Sequence, residues 1–173
     1  MLNKYLIVVD CQNDFIYGSL GSLSARMAVS KMKKKVDEYQ SSGTVIFTQD
    51  THGEDYLNTS EGKNLPVPHC IAGTEGWEII PELTVAPWNE RVYKPTFGVL
   101  NWEPFIQNPS SIEIIGVCTD ICVISNALIL KAQYPEIPII VDASCCAGTS
   151  PDKHNKALDV MRSCQIEVVE NNV

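Results

Sequence analysis

Ile112-Glu113-Ile114-Ile115-Gly116-Val117-Cys118-Thr119-Asp120-Ile121-Cys122 decides how this chain folds. Its first six residues are a β-branched, almost uninterrupted apolar run, the pattern of a strand buried on both faces. A short turn follows, and a helix predicted from near Asp120 to about Tyr134 leads into a further apolar run, Ile137 to Asp142. Strand, helix and strand in that order imply a crossover, and therefore parallel pairing. The alternation recurs on either side. Tyr5 to Val9 and Thr44 to Thr48 read as strands, separated by a helix over Ala25–Tyr39 in which Met27, Val29, Met32, Val36 and Tyr39 fall near helical spacing. Ser41-Ser42-Gly43 ends that helix. A helix from Asp152 to Cys164 is predicted next, with Ser150 or Asp152 near its start, and then a last strand from Ile166 to Val169. The predicted architecture is α/β: one domain, residues 1–173, with a doubly wound, mostly parallel sheet flanked by helices.

Composition narrows the possible functions. A chain of 173 residues, 45% hydrophobic and 20% charged, can bury a sizeable core. The formal net charge of −8 is opposite to what binding a polyanion requires, so no nucleic-acid partner is expected. Lys31 and the run Lys33-Lys34-Lys35 read as a solvated helix face rather than a lipid-binding stripe, so no membrane partner is expected either. The N-terminal apolar run ahead of Asp10 is too short for a signal peptide or a membrane span. The expected compartment is the reducing cytoplasm, where the seven cysteines would be free thiols.

In a parallel sheet, ligands sit outside the carboxyl ends of the strands. Asp10, Asp50, the turn from Gly116 to Cys122, and Asp142 all fall at predicted strand ends. Cys122 lies in the first turn of a predicted helix, where outward backbone N–H groups and the macrodipole favour a thiolate and can bind an oxyanion. Cys118 shares that turn, and either thiol has burial as an apolar filler for an alternative. Packing is expected for Cys11, Cys70, Cys145, Cys146 and Cys164. Asp10 is a candidate proton carrier and Lys94 a candidate counter-cation. Asp50, His52 and His69 form a possible metal set, because two imidazoles and a carboxylate suit Zn²⁺, Fe²⁺ or Mn²⁺; the alternative is a pair of ordinary loop histidines. The stretch from Gln49 to about Pro109 has no clear periodicity and is rich in Gly, Pro, Asn and Glu, which marks it as a functional loop region.

Four segments, in order, resemble the isochorismatase-like cysteine hydrolases: Leu6-Ile7-Val8-Val9-Asp10-Cys11-Gln12-Asn13-Asp14-Phe15, Thr48-Gln49-Asp50-Thr51-His52, Val92-Tyr93-Lys94-Pro95, and Gly116-Val117-Cys118-Thr119-Asp120-Ile121-Cys122-Val123. The similarity extends over nearly the whole chain. It implies a catalytic Asp at Asp10, a catalytic Lys at Lys94 and the nucleophile at Cys122. It also implies oxyanion-hole amides from Cys118 and Cys122 and a cis peptide between Val117 and Cys118. Within the family, nicotinamidases carry an Asp, His and His metal set, which falls on Asp50, His52 and His69, with Glu61 as a further carboxylate. Isochorismatases generally lack it.

The resemblance therefore implies a metal-assisted amidase holding a divalent metal, zinc first and iron or manganese otherwise. Its substrate would be a small-molecule amide, with nicotinamide hydrolysed to nicotinate and ammonia through a Cys122 thioester. Phe15 matches a pocket-lining aromatic. Many nicotinamidases place an aromatic three residues before the second His; here that residue is Pro66, which leaves Phe15, Tyr93 or Phe97 to stack on the substrate. The chain is short for the family, implying a more open pocket, and the family's habit implies a homo-oligomer, a dimer or tetramer. Two rivals stand beside this reading: a relative acting on a different amide or ureido compound, and a non-catalytic metal-binding or thiol-sensing protein.

Overall fold

The computed structural model describes residues 3–170; Met1, Leu2 and residues 171–173 of the expected domain lie outside the described residues. Strand β1 (Lys4–Val9) pairs in parallel with β2 (Thr44–Asp50) on one side and β4 (Ser111–Val117) on the other. The sheet extends to β3 (Glu90–Lys94) beyond β2, and to β5 (Ile139–Ala147) and β6 (Glu167–Val169) beyond β4. All six strands are parallel, in the order β3-β2-β1-β4-β5-β6, which is the expected doubly wound α/β single domain.

Alternation along β1 separates two cores. Tyr5, Ile7 and Val9 join Ile112, Ile114 and Trp102 on the face covered by α4 (Ile124–Gln133) and α5 (Pro151–Ser163). Leu6 and Val8 join Phe47 and Ile115 beneath α2 (Leu23–Ser42). Burying both faces is what makes these strands read as continuous apolar runs. After the single turn α1 (Asn13–Ile16), helix α2 begins at Ser22, whose hydroxyl accepts from the Ala25 amide at 3.1 Å. Its buried face is Ala25, Ala28, Val29, Met32 and Val36. Met27, placed on that face by the sequence pattern, is 72% exposed. Helix α5 starts at the Ser150 cap, one of the two expected starts.

Five sequence expectations change. The predicted fourth strand begins at Ile139 rather than Ile137, because Pro138 has no N–H to pair and its carbonyl accepts from Ile112. The same strand runs on to Ala147, so Asp142 sits in its middle instead of at its end. There Asp142 accepts from the Ser144 amide and hydroxyl at 3.0 and 2.7 Å and pairs with Lys35 at 3.0 Å. Lys35 also meets Glu113 at 2.7 Å, and Tyr39 donates to that carboxylate at 2.7 Å. Lys33 and Lys34 are exposed as expected, but Lys35 is drawn under α2. Among the cysteines, Cys11, Cys70, Cys145 and Cys146 are buried, whereas Cys164, also expected to pack, is exposed. Strand β3, inside the expected loop region, escaped prediction because only Val92 and Lys94 of its five residues point inward.

Gly116 lets β1 and β4 close at the functional edge. Its φ is +123°, and a Cβ there would stand 2.1 Å from the Val9 carbonyl oxygen. Lys35 makes a stability prediction. Lys35→Ala would remove an ammonium that pairs with both buried Glu113 and buried Asp142, a loss of about 3 kcal/mol in denaturant unfolding. A loss under about 0.5 kcal/mol would mean that this ion pair behaves as a solvated surface contact.

Candidate active site

Register brings the chemistry together. Pairing of β2 with β3 sets Asp50 directly against Lys94, and the Thr51 amide donates to the Lys94 carbonyl at 2.9 Å. Lys94 is only 2% exposed. Its ammonium lies 2.6 Å from Asp10 Oδ2, 3.3 Å from Asp50 Oδ1 and 3.6 Å from Cys122 Sγ, and it donates to the Thr96 carbonyl at 3.1 Å. Asp10 follows β1 with φ at 50°, in the left-handed region, and its Oδ1 accepts from the Thr48 hydroxyl at 2.5 Å. Oδ2 is the oxygen that faces the Lys94 ammonium, so the two carboxylate oxygens are held by different partners.

Cys122 sits in a π turn, Thr119–Val123, between β4 and α4, not in a regular helical first turn. The Cys118 carbonyl accepts from the amides of Ile121 and Val123, both at 3.1 Å. The Val117–Cys118 peptide is cis. Position at a helix start predicts an acidified thiol, but burial and the Asp10 charge hold the Cys122 thiol well above its ordinary value, against the pull of Lys94. Cys118 is likewise pushed up to about 12, by burial and then Asp120. Burial and the Asp50 charge raise Asp10 as well, with Lys94 opposing. Thiol and carboxyl therefore compete for protons next to a fixed cation. Lys94 keeps its charge, since the Asp10, Cys122 and Asp50 charges outweigh the lowering effect of burial.

A second group adjoins the first through Asp50. Asp50 Oδ2 is 2.9 Å from His52 Nε2 and 3.5 Å from His69 Nε2. Glu61 Oε1, at the start of α3 (Ser60–Asn64), is 3.8 Å from His52 Nε2 and 3.6 Å from His69 Nε2. Four ligands arranged tetrahedrally at zinc-like bond lengths would stand about 3.4 Å apart, and these spacings bracket that value. His69 Nδ1 faces the Val67 carbonyl at 2.8 Å, the arrangement that turns Nε2 toward an ion. Burial would raise Asp50, but hydrogen bonds from His52 and His69 hold its carboxyl well below the usual range. The donor set fits a divalent ion.

A cavity of about 980 Å³ joins the two groups, lined by Asp50, His52, Glu61, His69, Cys118 and Cys122 among others. Phe15 lines it and packs on His69 at 5.4 Å between ring centroids. Phe97 lines it too, while still 42% exposed. Tyr93 does not: it is 54% exposed and its ring packs on Trp77 at 5.3 Å, because its place in β3 faces opposite to Lys94. Pro66 is absent from the lining, and Leu65 stands there instead. Three supporting residues were not among the candidate site residues. Tyr56 packs against both imidazoles, at 4.8 and 4.9 Å. Gln12 donates to the Asp50 carbonyl and accepts from its amide, at 2.9 and 2.8 Å. Asn126 donates to the Cys122 carbonyl at 2.8 Å and accepts from the Val99 amide at 2.9 Å. Gln12 was signalled by its place in a polar run just past a strand; Tyr56 and Asn126 had no such signal.

The isochorismatase domain profile matches residues 4–172, and the chain belongs to that family. The nicotinamidase/pyrazinamidase of Mycobacterium tuberculosis is 28% identical over 188 residues, covering 96% of this chain and 98% of that one. The crystal structure of a nicotinamidase/pyrazinamidase from Bacillus subtilis superposes with a TM-score of 0.85 at 24% identity, covering 98% and 100% of the two chains. That of the pyrazinamidase of Pyrococcus horikoshii in complex with zinc gives 0.82 at 22% identity, covering 97% and 99%. The folds therefore coincide along their whole length.

Tyr56 wedges the imidazoles in place without offering them a ligand. Tyr56→Ala is expected to weaken zinc binding roughly 10–100-fold in a chelator competition. Unchanged affinity would show that the loop holds its histidines without the ring.

Proposed function

We propose that this chain is a metal-assisted cysteine amidohydrolase whose substrate is nicotinamide. Its family and its nicotinamidase relatives support a hydrolase acting on a C–N amide bond. The observation that carries the reading is the single buried ammonium of Lys94, within reach of Asp10, Asp50 and Cys122, beside an Asp, His, His and Glu cluster in the same cavity. A thiol sensor needs neither the paired carboxylate nor the cation.

A divalent ion held by Asp50, His52, His69 and Glu61 would supply a Lewis acid to which the pyridine nitrogen can bind. The chain's own residues do the rest. Asp10 takes the proton from Cys122 Sγ, and the thiolate attacks the carboxamide carbon. The carbonyl oxygen gains charge and meets the amides of Cys118 and Cys122. Asp10 returns the proton to the amide nitrogen as the C–N bond breaks and ammonia leaves. Water then attacks the thioester carbon, losing a proton to Asp10. The C–S bond breaks, the acid departs and gives its remaining proton to the released ammonia in solvent to become nicotinate, and Cys122 regains its proton from Asp10. Lys94 remains charged throughout, so neither carboxylate nor thiolate stands alone in the buried site.

A second reading, hydrolysis of a larger amide or ureido compound, is favoured by the cavity's volume and by a proline, Pro66, at the position three before His69 where many nicotinamidases carry an aromatic. An ammonia-release panel separates the two.

Nicotinamide should release ammonia, and a chelator should suppress that release until zinc, iron or manganese is restored. Cys122→Ala should lower turnover by roughly 10⁴-fold or more with the unfolding midpoint unchanged. Full activity of that variant overturns the nucleophile assignment. Protein reconstituted with metal should hold one ion per chain by elemental analysis, and a metal-free result would remove the preference for nicotinamide.

A further inference from the structure

The turn that bears Cys118 and Cys122 is tied down from outside at both of the residues that follow Cys118. Thr119 Oγ1 lies 2.8 Å from His154 Nδ1, in the first turns of α5. Asp120 Oδ1 accepts from the Thr149 amide at 2.7 Å, and Oδ2 accepts from the Thr149 hydroxyl at 2.6 Å. Gly148 allows this approach: a Cβ there would meet Asp120 Oδ1 at 2.8 Å and His154 Cβ at 2.9 Å. Thr119 is fully buried while Thr149 is exposed, so the turn is held from within and from the rim.

The turn needs such ties. In an α-helix, each amide bonds four residues back and the ladder fixes every N–H direction. Here the Cys118 carbonyl takes the amides of residues three and five further on, and the Ile124 amide is shared between the Ile121 and Thr119 carbonyls. A π turn of this kind interrupts the regular ladder, so its N–H directions are not set by the α-helical pattern alone. Electrostatic stabilisation of an oxyanion, however, depends on donors fixed in direction before the charge appears.

We propose that Asp120 and Thr149, with Thr119 and His154, form a latch between the β5–α5 connection and the catalytic turn that aims the Cys118 and Cys122 amides at the developing oxyanion. These are positioning residues: Thr119, Asp120 and His154 stand outside the cavity lining, and Thr149 meets it only at the rim. The proposal rests on Cys122 being the nucleophile of the reaction described above. It assigns to the loop after β5 a role in the tetrahedral intermediate rather than in holding the ground-state ring.

The test uses the metal-loaded full chain and two probes. One is nicotinate, which reports ground-state binding. The other is pyridine-3-carbaldehyde: the Cys122 sulfur adds to its carbonyl carbon and the thiol proton ends on the new hydroxyl, so that oxygen occupies the oxyanion position. Thr149→Val and Asp120→Ala should lower kcat and aldehyde affinity together, roughly 10–100-fold, with KM, nicotinate affinity and metal content within about twofold. Asp120→Asn keeps an acceptor for the Thr149 amide and lets the hydroxyl reverse its role, so it should recover most of both losses. Thr149 is exposed, which keeps that variant readable if Asp120→Ala folds poorly. Wild-type kcat and aldehyde affinity in Thr149→Val would overturn the latch, as would equal losses for aldehyde and nicotinate. Wild-type protein that captures the aldehyde but leaves nicotinamide intact would overturn the substrate reading alone, and the aldehyde comparison would still decide the latch.

Discussion

A single ammonium, buried at the carboxyl edge of the sheet, is the constraint around which the rest is arranged. Lys94 projects from an edge strand into a space shared by two carboxylates and a thiol. Removing a cation from water costs several kcal/mol, and only close, well-directed anions offset that. Asp10 and Asp50 are those anions, which is why they lie at the ends of adjacent strands and why β3 must run parallel to β2 in its observed register. Without Lys94, Asp10 would lose its counter-cation in the core and Asp50 would be left to the two histidines. Without either carboxylate, the lysine would be stranded. Fold and site are thus coupled by charge balance as well as by packing.

Asp50 belongs to both halves of the site. One oxygen faces Lys94 and the other faces the two histidines. A carboxylate used this way fixes the distance between the two histidines and the Lys94 ammonium beside Cys122, because it cannot move toward one without leaving the other. Gln12 holds its backbone at both amide and carbonyl, so the bridge rests on a strand terminus with little freedom. Rigidity of this kind suits the proposed reaction, in which a small planar amide is caught at one edge and attacked at the other.

Much of this was legible in the chain itself. The central strands announced themselves as apolar runs because both faces of the sheet are covered, and Asp10 and Asp50 stood out by ending such runs. The residues less easily read fall into two kinds. Lys94 and Tyr93 lie on a strand with so few inward residues that no period shows, so the face each occupies follows only from pairing with β2. Asp142 looked like a strand end because the small residues after it break the apolar pattern, although β5 continues through a register shift opposite Gly116. The acidity of Cys122 was misjudged for a different reason. A helix start is a local feature, whereas the burial and the neighbouring Asp10 charge that govern the thiol arise from segments more than a hundred residues apart.

Asp10 adopts a backbone conformation in which φ is +50°. Among residues with a side chain, only asparagine and aspartate enter that region with ease; glycine is the other tolerant choice. The position therefore has almost no neutral path through sequence space. Drift toward glutamate would keep the charge but strain the backbone, and drift toward asparagine or glycine would keep the backbone but remove the partner of a buried cation. An acid at the end of the first strand is in this sense held by two independent locks, one conformational and one electrostatic. A lineage that gave up its chemistry here would have to change Lys94 as well before the fold could settle.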